Sequence, residues 1–492
     1  MGRRSRRSAA RTLALIIRHR RLRWFDLQLV RSAGAAKTIQ STTTIRRIKH
    51  RQQSRPSNIP LAAETNSLTG PNGPVPLGDY ASVVRELADQ SRHEPLGPAT
   101  MLDLRRRYGE QLATLFVSVA SLQTKANKKL GAGLWWVTPK SLQQATPWQV
   151  ARYKSQWMQD RHVFDLCCGI GGDAVPLSTR GPLTAVDCDR ALLSMTAANL
   201  ASEGRFAENH LQTTRSAAPG GEALRDPQYT ARVLCADVTS TQIPSDCFVH
   251  IDPDRRAAQT RTTRPDQYQP AWPEVLRIVD QSAGAAVKLA PAAQLEDSVS
   301  QRAHRAWISL QGSVREQSVL FGEICQRAQD ARPGAHSAIA ISTDSRAVCF
   351  SANPGARTLE QFSGPGEYLY DPDAAIRAAG LTEAFALSHN LATLAGPAGF
   401  LSSNGAPPDS IVRQMSVVGR VIWSGTCDDR GLRRELRTRK MFPQAIKVRG
   451  TDHDPAKMMK RLRECGDRPI TLWIGRTSSR RFAAMTQPLT ET

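Results

Sequence analysis

The sequence predicts an α/β protein in which a mostly parallel sheet follows a helical region and precedes a second, smaller α/β unit. Two observations indicate this class. Between residues 161 and 345, short apolar runs alternate with segments of helical periodicity, and the first run ends in a glycine-rich turn. Between residues 411 and 492, basic helical segments alternate with strand-like runs. The length of 492 residues and an apolar content of 40% fit a folded protein of several domains.

The positive charge is divided unevenly along the chain. The net charge is +22, of which residues 1–60 carry +15, residues 61–410 carry −3 and residues 411–492 carry +10. This division predicts that small-molecule chemistry in the centre is separated from contact with a polyanion at the C-terminal end.

Residues 1–78 are predicted to be a basic extension and linker. The segment is rich in Arg and poor in acids before a stretch dense in Pro and Gly. An unstructured extension, a nucleic-acid-binding arm and, in a eukaryote, a mitochondrial or plastid transit peptide all remain open. The early apolar run at 13–17 is too short to cross a membrane, so no membrane partner is expected. The nine cysteines form no CxxC motif and, with the histidines, show no metal-ligand spacing. We therefore expect a cytoplasmic protein without structural disulfides and without a bound metal.

Residues 79–160 show apolar residues at three- and four-residue steps and predict helices. The segment contains two adjacent tryptophans, Trp135 and Trp136, just before a proline. They could present a stacking surface for a base or form part of the core.

The segment that carries the chemistry of the centre begins with a strand, a turn and a helix. The strand at 163–168 contains Asp165, and the turn after it holds Gly169 and Gly171. A second strand at 183–186 leads into Asp187, where a carboxylate can accept both hydroxyls of a ribose. The ligand is therefore expected to contain an adenosine.

The spacing of Asp165, Gly169 and Gly171 resembles motif I of the class I S-adenosylmethionine-dependent methyltransferases. Cys167 replaces the first glycine of that motif. The resemblance implies a Rossmann-like sheet that binds S-adenosylmethionine, with Asp165 near its ammonium group and Asp187 on its ribose. It also places Asp237, at the end of the third strand, against the adenine amino group.

The loop after the fourth strand reads Asp252-Pro253-Asp254-Arg255-Arg256. Methyltransferases that act on amino groups of bases commonly have an acid or amide, two prolines and an aromatic residue there. The resemblance implies that Asp252 accepts a hydrogen bond from the target amine, with Pro253 and Arg255 completing a catalytic loop. Stacking would then need Trp135, Trp136, Tyr268, Trp272 or a guanidinium plane. Alternatively, the two arginines of the loop simply pair with its two acids.

The wider pattern is similar to bacterial class I methyltransferases that end in a THUMP-like domain, with a core similar to the trimethylguanosine synthase type. The matching phrases lie at 144–147, 169–172, 252–256, 368–377 and 447–450. The predicted domains are therefore helices at 79–160, a methyltransferase domain at 161–345, a connecting region at 346–410 and a basic THUMP-like domain at 411–492. In the last of these, Arg434 and Arg449 are predicted to contact RNA.

The sequence thus predicts methyl transfer to RNA, either rRNA or tRNA, at a nucleobase nitrogen. Two alternatives stay open: a cofactor-binding RNA assembly factor with little catalysis, and a methyltransferase for a small molecule or a protein. Lys288, at the end of a fifth strand, could act on a substrate or be a solvated strand end. His250 has no partner at useful spacing and is expected to fill a core or surface position. The oligomeric state is left open.

Overall fold

The structure, a computed structural model, describes residues 76–488 apart from 159, 203–205, 213–230, 258–259, 397–398 and 407–409. It also gives the backbone of strands β1 (Thr69–Gly70) and β2 (Gly73–Pro74). The described residues all belong to one compact unit, Ile59–Thr492. The predictions for residues 1–60 lie outside this part of the chain.

The helical region expected at 79–160 is present. Its second helix is the longest and is interrupted at Gly109, whose φ of 82° is not helical. It ends at Gly131, which has a φ of 97° that glycine adopts readily. The helices are α1 (Ala81–His93), α2 (Pro98–Leu130), α3 (Pro139–Gln144) and α4 (Trp148–Ser155), followed by a 3-10 turn at Gln156–Met158.

The larger sheet has ten strands in the order β14-β13-β11-β12-β10-β7-β3-β4-β6-β5. The strands are β3 (Val163–Leu166), β4 (Leu183–Asp187), β5 (Phe206–Gln212), β6 (Ala231–Cys235), β7 (Phe248–Ile251), β10 (Gly284–Leu289), β11 (His304–Leu310), β12 (Ser313–Gly322), β13 (His336–Ile341) and β14 (Ala347–Ala352). A short hairpin, β8 (Arg256–Ala257) and β9 (Thr260–Arg261), lies between β7 and β10 in the chain.

Six strands that are adjacent in the sheet are parallel to one another: β5, β6, β4, β3, β7 and β10. The next strand, β12, is antiparallel to both β10 and β11. From β3 the chain continues to β4, then to β5 at the edge of the sheet, then back to β6 between β4 and β5, and finally to β7 on the other side of β3. This reversal of strand order creates a crevice at the carboxyl ends of the strands, where open α/β sheets bind ligands. β3 and β4 are buried along their whole length, as strands covered on both faces should be.

The helices that accompany this sheet are short except for two. They are α5 (Ala174–Ser178), α6 (Arg190–Ser202), α7 (Trp272–Gln281), α8 (Asp297–Arg302) and α9 (Glu323–Arg327). The predicted polar insertion at 203–230 contains an edge strand, β5, and residues 213–230 lie outside the described part.

The second sheet has seven strands in the order β16-β17-β15-β18-β21-β20-β19. They are β15 (Tyr368–Pro372), β16 (Ala392–Thr393), β17 (Leu401–Ser403), β18 (Ser416–Gly425), β19 (Met441–Val448), β20 (Arg468–Arg476) and β21 (Arg481–Pro488). Its helices are α10 (Ala374–Ala378), α11 (Thr382–Ser388), α12 (Ser410–Gln414), α13 (Asp429–Thr438) and α14 (Pro455–Leu462). The remaining 3-10 turns are Leu77–Tyr80, Pro265–Gln267 and Arg463–Cys465.

The predicted connecting region at 346–410 does not behave as a linker. β14 extends the larger sheet by pairing with β13, and β15 to β17 belong to the second sheet through the pairing of β15 with β18. The strand expected to start at residue 411 instead begins at Ser416, after helix α12. A boundary at residue 411 would therefore divide one sheet.

Among the described residues, no helix is long and apolar enough to cross a membrane.

Candidate active site

A cavity of about 570 Å³ opens at the carboxyl ends of β3, β4 and β7. This volume is within the usual range for small-molecule and cofactor sites. Seven of the predicted site residues line it: Asp165, Gly169, Asp187, Asp237, Asp252, Pro253 and Arg255. The predicted Gly171 does not line it, but its neighbour Gly172 does. The folding of one strand, one turn and one loop thus brings together residues that are far apart in sequence.

The glycine turn is held in place by Asp187. The main-chain N–H of Gly169 donates to Oδ2 of Asp187 at 2.9 Å, and that of Asp189 donates to Oδ1 at 2.9 Å. Gly171 has a φ of 82°, and a Cβ built there would lie 3.1 Å from Cγ2 of Thr196, so the turn has no room for a side chain at this position. Burial raises the pKa of Asp187, while the two amides lower it in part.

Asp165 is 1% exposed and lines the cavity with one unused oxygen. Its Oδ1 lies 2.7 Å from Nδ1 of His250, whereas no residue in the described part of the chain donates to its Oδ2. Burial raises the pKa of Asp165, and the contact with His250 partly offsets this rise. A buried carboxylate oxygen without a donor fits the ammonium group of S-adenosylmethionine, as the resemblance implies.

His250 is buried, which agrees with the core position predicted as one alternative, but it has partners that sequence spacing did not reveal. Its Nε2 lies 3.2 Å from Nζ of Lys154, and an ammonium group can only donate. Nε2 must therefore accept, which leaves the proton on Nδ1, from where it is donated to Asp165. His250 thus fixes the orientation of Asp165.

Lys154 is the centre of a buried ionic cluster behind the turn. Its Nζ lies 2.9 Å from Asp173 and 2.8 Å from Glu316, and its side chain is 2% exposed. Burial alone would lower the pKa of Lys154, but these two acids raise it above its ordinary value. Burial raises the pKa of Asp173, but the ammonium of Lys154 beside it outweighs this and lowers the pKa.

The Asp252 loop is also tied to the sheet. Nζ of Lys288 donates to Oδ2 of Asp252 at 2.6 Å and to Oγ1 of Thr146 at 2.8 Å. Lys288 is 5% exposed, so it is not a solvated strand end. Asp252 of the loop therefore has Lys288 as an ion-pair partner, while Arg255 is half-buried at the cavity wall.

The wall of the cavity is strongly acidic. Among the described residues that line it are seven aspartates and only two side chains with a permanent positive charge, Lys140 and Arg255. The aspartates are Asp165, Asp173, Asp187, Asp189, Asp237, Asp252 and Asp254. Such a wall disfavours the diphosphate of a dinucleotide and favours a ligand that carries ammonium and sulfonium charges.

Asp237, the residue expected at the adenine, is exposed at the cavity edge. Its Oδ1 accepts from the main-chain N–H and the hydroxyl of Thr239, at 2.9 and 2.8 Å. These bonds lower the pKa of Asp237 and keep it ionised. Oδ2 is thus the oxygen that remains for a ligand.

The tryptophans proposed for stacking are core residues. Trp135 is 4% exposed and its indole N–H donates to the carbonyl of Gly131, while Trp136 is fully buried and packs edge-on against Phe116. Neither ring can lie on a base in this structure, because both side chains are buried. Tyr268 is likewise buried, at 2% exposure, and Trp272 is partly buried against the same core.

The two arginines predicted to contact RNA differ. Arg434 projects from α13 with 77% of its side chain exposed, as a phosphate ligand should. Arg449 instead pairs with the buried Asp371 at 2.9 Å, together with Arg377 and Lys447. Its guanidinium is therefore largely used inside the protein.

Sequence reasoning missed Lys154, Thr146, Asp173 and Glu316 as members of the site. The one available signal was the phrase at 144–147, whose threonine reaches Lys288 across 142 residues of sequence. The others are joined by contacts that no spacing rule foretells.

No protein-family model matches the chain. Two curated proteins of Mycobacterium tuberculosis, from strains CDC 1551 / Oshkosh and ATCC 25618 / H37Rv, are each 29% identical to it over 391 residues. Each match covers 76% of this chain and 95% of the relative, and each relative is named an uncharacterized S-adenosylmethionine-dependent methyltransferase.

Among solved structures, a Porphyromonas gingivalis W83 protein described as a candidate methyltransferase superposes with a TM-score of 0.63. The match covers 83% of this chain and 99% of that chain at 14% sequence identity. The larger sheet thus has the Rossmann-like class I methyltransferase fold, which confirms the fold predicted from the sequence.

Proposed function

We propose that the protein transfers a methyl group from S-adenosylmethionine to RNA, at a nucleobase nitrogen. The protein is an enzyme, an S-adenosylmethionine-dependent methyltransferase, like its curated relatives. The observation that carries the proposal is the acid-lined cavity at the switch point of the sheet, with Asp252 at its wall.

The residues of the cavity fit the cofactor. Asp165 offers a buried oxygen without a donor for the ammonium group, and Asp187 offers a carboxylate fixed by two amides for the ribose. Asp237 stands at the adenine end of this assignment. When bound, S-adenosylmethionine supplies an electrophilic methyl group on a sulfonium.

Asp252 is the residue that would orient the acceptor. Its Oδ2 is held by Lys288, its side chain is 28% exposed, and it faces the cavity. A carboxylate in this position can accept an N–H of an exocyclic amine and so hold the nitrogen lone pair toward the methyl group. Arg255 occupies the place of the usual aromatic residue and offers a guanidinium plane for the base.

The RNA part of the proposal rests on the charge of the second sheet and its helices. α13 and α14 bury Leu432, Leu436, Met458 and Leu462 and leave their basic residues outside. The exposed cations on these helices are Arg430, Arg434, Arg437, Lys457, Lys460 and Arg461. An acidic cavity repels phosphates, so a basic surface elsewhere would have to hold the backbone while one base enters. We infer that this unit serves as the THUMP-like RNA-binding domain.

The test is transfer of labelled methyl from S-adenosylmethionine to total RNA, DNA, protein and a small-metabolite fraction, each incubated separately. Label in RNA, lost in Asp252→Ala while cofactor binding persists, is the expected result. Label in protein or in small metabolites contradicts the choice of RNA.

A second candidate, a cofactor-binding RNA assembly factor, is favoured by the Asp254-Arg255 pair that replaces proline and aromatic in the loop. Label in none of the four fractions, with intact RNA binding, supports it.

The role of the basic surface needs point substitutions rather than truncation. Removing residues 411–492 would take four of the seven strands from one sheet. Replacing Arg434, Arg437, Lys457 and Lys460 by Glu keeps the fold and reverses the charge. Glu substitutions at the exposed Arg85 and Arg106 of α1 and α2 are the matched control.

A further inference from the structure

Lys288 is buried at the end of β10 in a position that its sequence context did not explain. β10 is parallel to β7, with Val287 opposite Ile251, so Lys288 comes level with Asp252 where the two strands end. Burying an ammonium group is costly unless it is paired and hydrogen-bonded. A residue of this type at 5% exposure is therefore held by specific partners rather than by packing.

The partners of Lys288 fix its direction. It donates to Oγ1 of Thr146 at 2.8 Å, and the same hydroxyl donates to Oδ2 of Asp173 at 2.5 Å. Since the hydroxyl has one proton, which goes to Asp173, it can only accept from the ammonium. The backbone of Thr146 also lies close to the glycine turn: a Cβ built at Gly172 would be 3.3 Å from the Thr146 amide nitrogen.

This arrangement leaves Asp252 with one committed oxygen and one available oxygen. Oδ2 accepts from Lys288 at 2.6 Å, and no described residue donates to Oδ1 in the structure. The pKa of Lys288 is raised above its ordinary value: burial opposes this, but Asp252, Glu316 and Asp173 outweigh it. Lys288 therefore stays charged and cannot take the proton of an acceptor.

We propose that Lys288 is a positioning residue that fixes the carboxylate of Asp252, so that its free oxygen points at the acceptor nitrogen. The inference rests on the proposed methyl transfer, for which it assigns a further residue. It also gives Thr146 a role, because its hydroxyl accepts a hydrogen bond from Lys288 and so fixes the position of the ammonium group. A series of hydrogen bonds thus connects the Asp252 loop to the glycine turn, through Asp252, Lys288, Thr146 and Asp173.

The test compares Lys288→Met, Lys288→Arg and Thr146→Val with wild type. Met keeps the length and removes the charge, Arg keeps the charge, and Val removes only a hydroxyl. Crystal structures give the position of the Asp252 carboxylate, calorimetry gives S-adenosylmethionine affinity, and labelled transfer to RNA gives kcat and KM. Arg92→Met, which removes an exposed ion pair with Asp89, is the control.

For Lys288→Met, the expected result is a displaced Asp252 carboxylate, cofactor affinity within about threefold of wild type and a kcat lowered about 10- to 100-fold, the usual effect of losing a residue that orients a functional ligand. Lys288→Arg should recover part of kcat, and Thr146→Val should lower it less than Met does. If Lys288→Met does not fold, Thr146→Val carries the same test.

An Asp252 carboxylate that keeps its position in the variant overturns the proposal, and so does an unchanged kcat. The two proposals fail in different ways. If wild type labels no RNA, the proposed function falls, while the position of Asp252 in the Lys288→Met crystal still decides the role of the lysine.

Discussion

Replacing Asp187 by Ala should remove most of the affinity for S-adenosylmethionine. Asp187 is 8% exposed at the end of β4, and its two oxygens already accept from the amides of Gly169 and Asp189. Each oxygen keeps a second lone pair that can accept a ribose hydroxyl. A hydrogen bond to a charged group contributes about 1.5–3 kcal/mol. Two such bonds correspond to a loss of about 10²- to 10⁴-fold in affinity.

Isothermal titration calorimetry measures this loss directly. Asp187→Asn, which removes the charge and keeps one acceptor, should fall between Ala and wild type. Asp266→Ala, at an exposed carboxylate paired with Arg264 on the surface, should bind as wild type does.

A loosened turn could lower affinity without any contact to the ribose, and a second ligand separates these causes. The 2′-deoxy analogue of S-adenosylhomocysteine should bind wild type more weakly than S-adenosylhomocysteine, but bind Asp187→Ala equally, because the partner of the missing hydroxyl is already gone. Affinity of Asp187→Ala within about threefold of wild type would refute the assignment of Asp187.

Three further outcomes are expected. Burial raises the pKa of both Asp165 and Asp187, so these carboxylates take up protons at a higher pH than an exposed aspartate, whose pKa is about 3.9. Cofactor affinity measured by calorimetry should therefore fall as the pH is lowered from neutrality, before exposed aspartates are protonated, and a flat profile contradicts their role. Cys167 has a φ of 57°, a conformation that costs a β-branched residue about 1–3 kcal/mol. Cys167→Val should therefore lower the free energy of unfolding measured in urea by about 2 kcal/mol, whereas Cys167→Gly should stay closer to wild type. The reverse order of stability would be inconsistent with strain at this position. Asp371→Asn leaves three cations without their buried acid and should lower the free energy of unfolding by about 2–3 kcal/mol at pH 7. The pKa of Asp371 is lowered because Arg449, Arg377 and Lys447 outweigh its burial, so its contribution to stability is present above the pKa of the unfolded state and is lost as the pH falls through the pKa of the folded state. A stability difference between variant and wild type that persists unchanged below pH 4 speaks against this.

The parts of the fold that could be predicted from sequence are those set by local pattern. The strand, glycine turn and helix around Gly169 need only neighbouring residues, and the acid after each parallel strand reaches the same edge of the sheet. The cavity wall accordingly contains Asp165, Asp187, Asp237 and Asp252, as the spacing predicted. The roles assigned to these residues stay predictions.

The parts that were missed depend on contacts between distant segments. Lys154 meets Glu316 across 162 residues, and no local pattern shows that a lysine in a short helix will be buried. The pairing of β15 with β18 is equally non-local, so residues 346–410 were predicted to be a connecting region rather than part of two sheets. Trp135 and Trp136 were open to two interpretations because their burial depends on contacts with distant residues, such as that of Trp136 with Phe116.

Mass analysis of nucleosides from RNA treated with deuterium-labelled S-adenosylmethionine tests the central claim most directly. We expect one nucleobase, methylated at nitrogen, to carry the heavy methyl group with wild type and to lack it with Asp252→Ala. A heavy methyl group on a ribose or on a base carbon, or its absence from RNA with wild type, would contradict transfer to a nucleobase nitrogen.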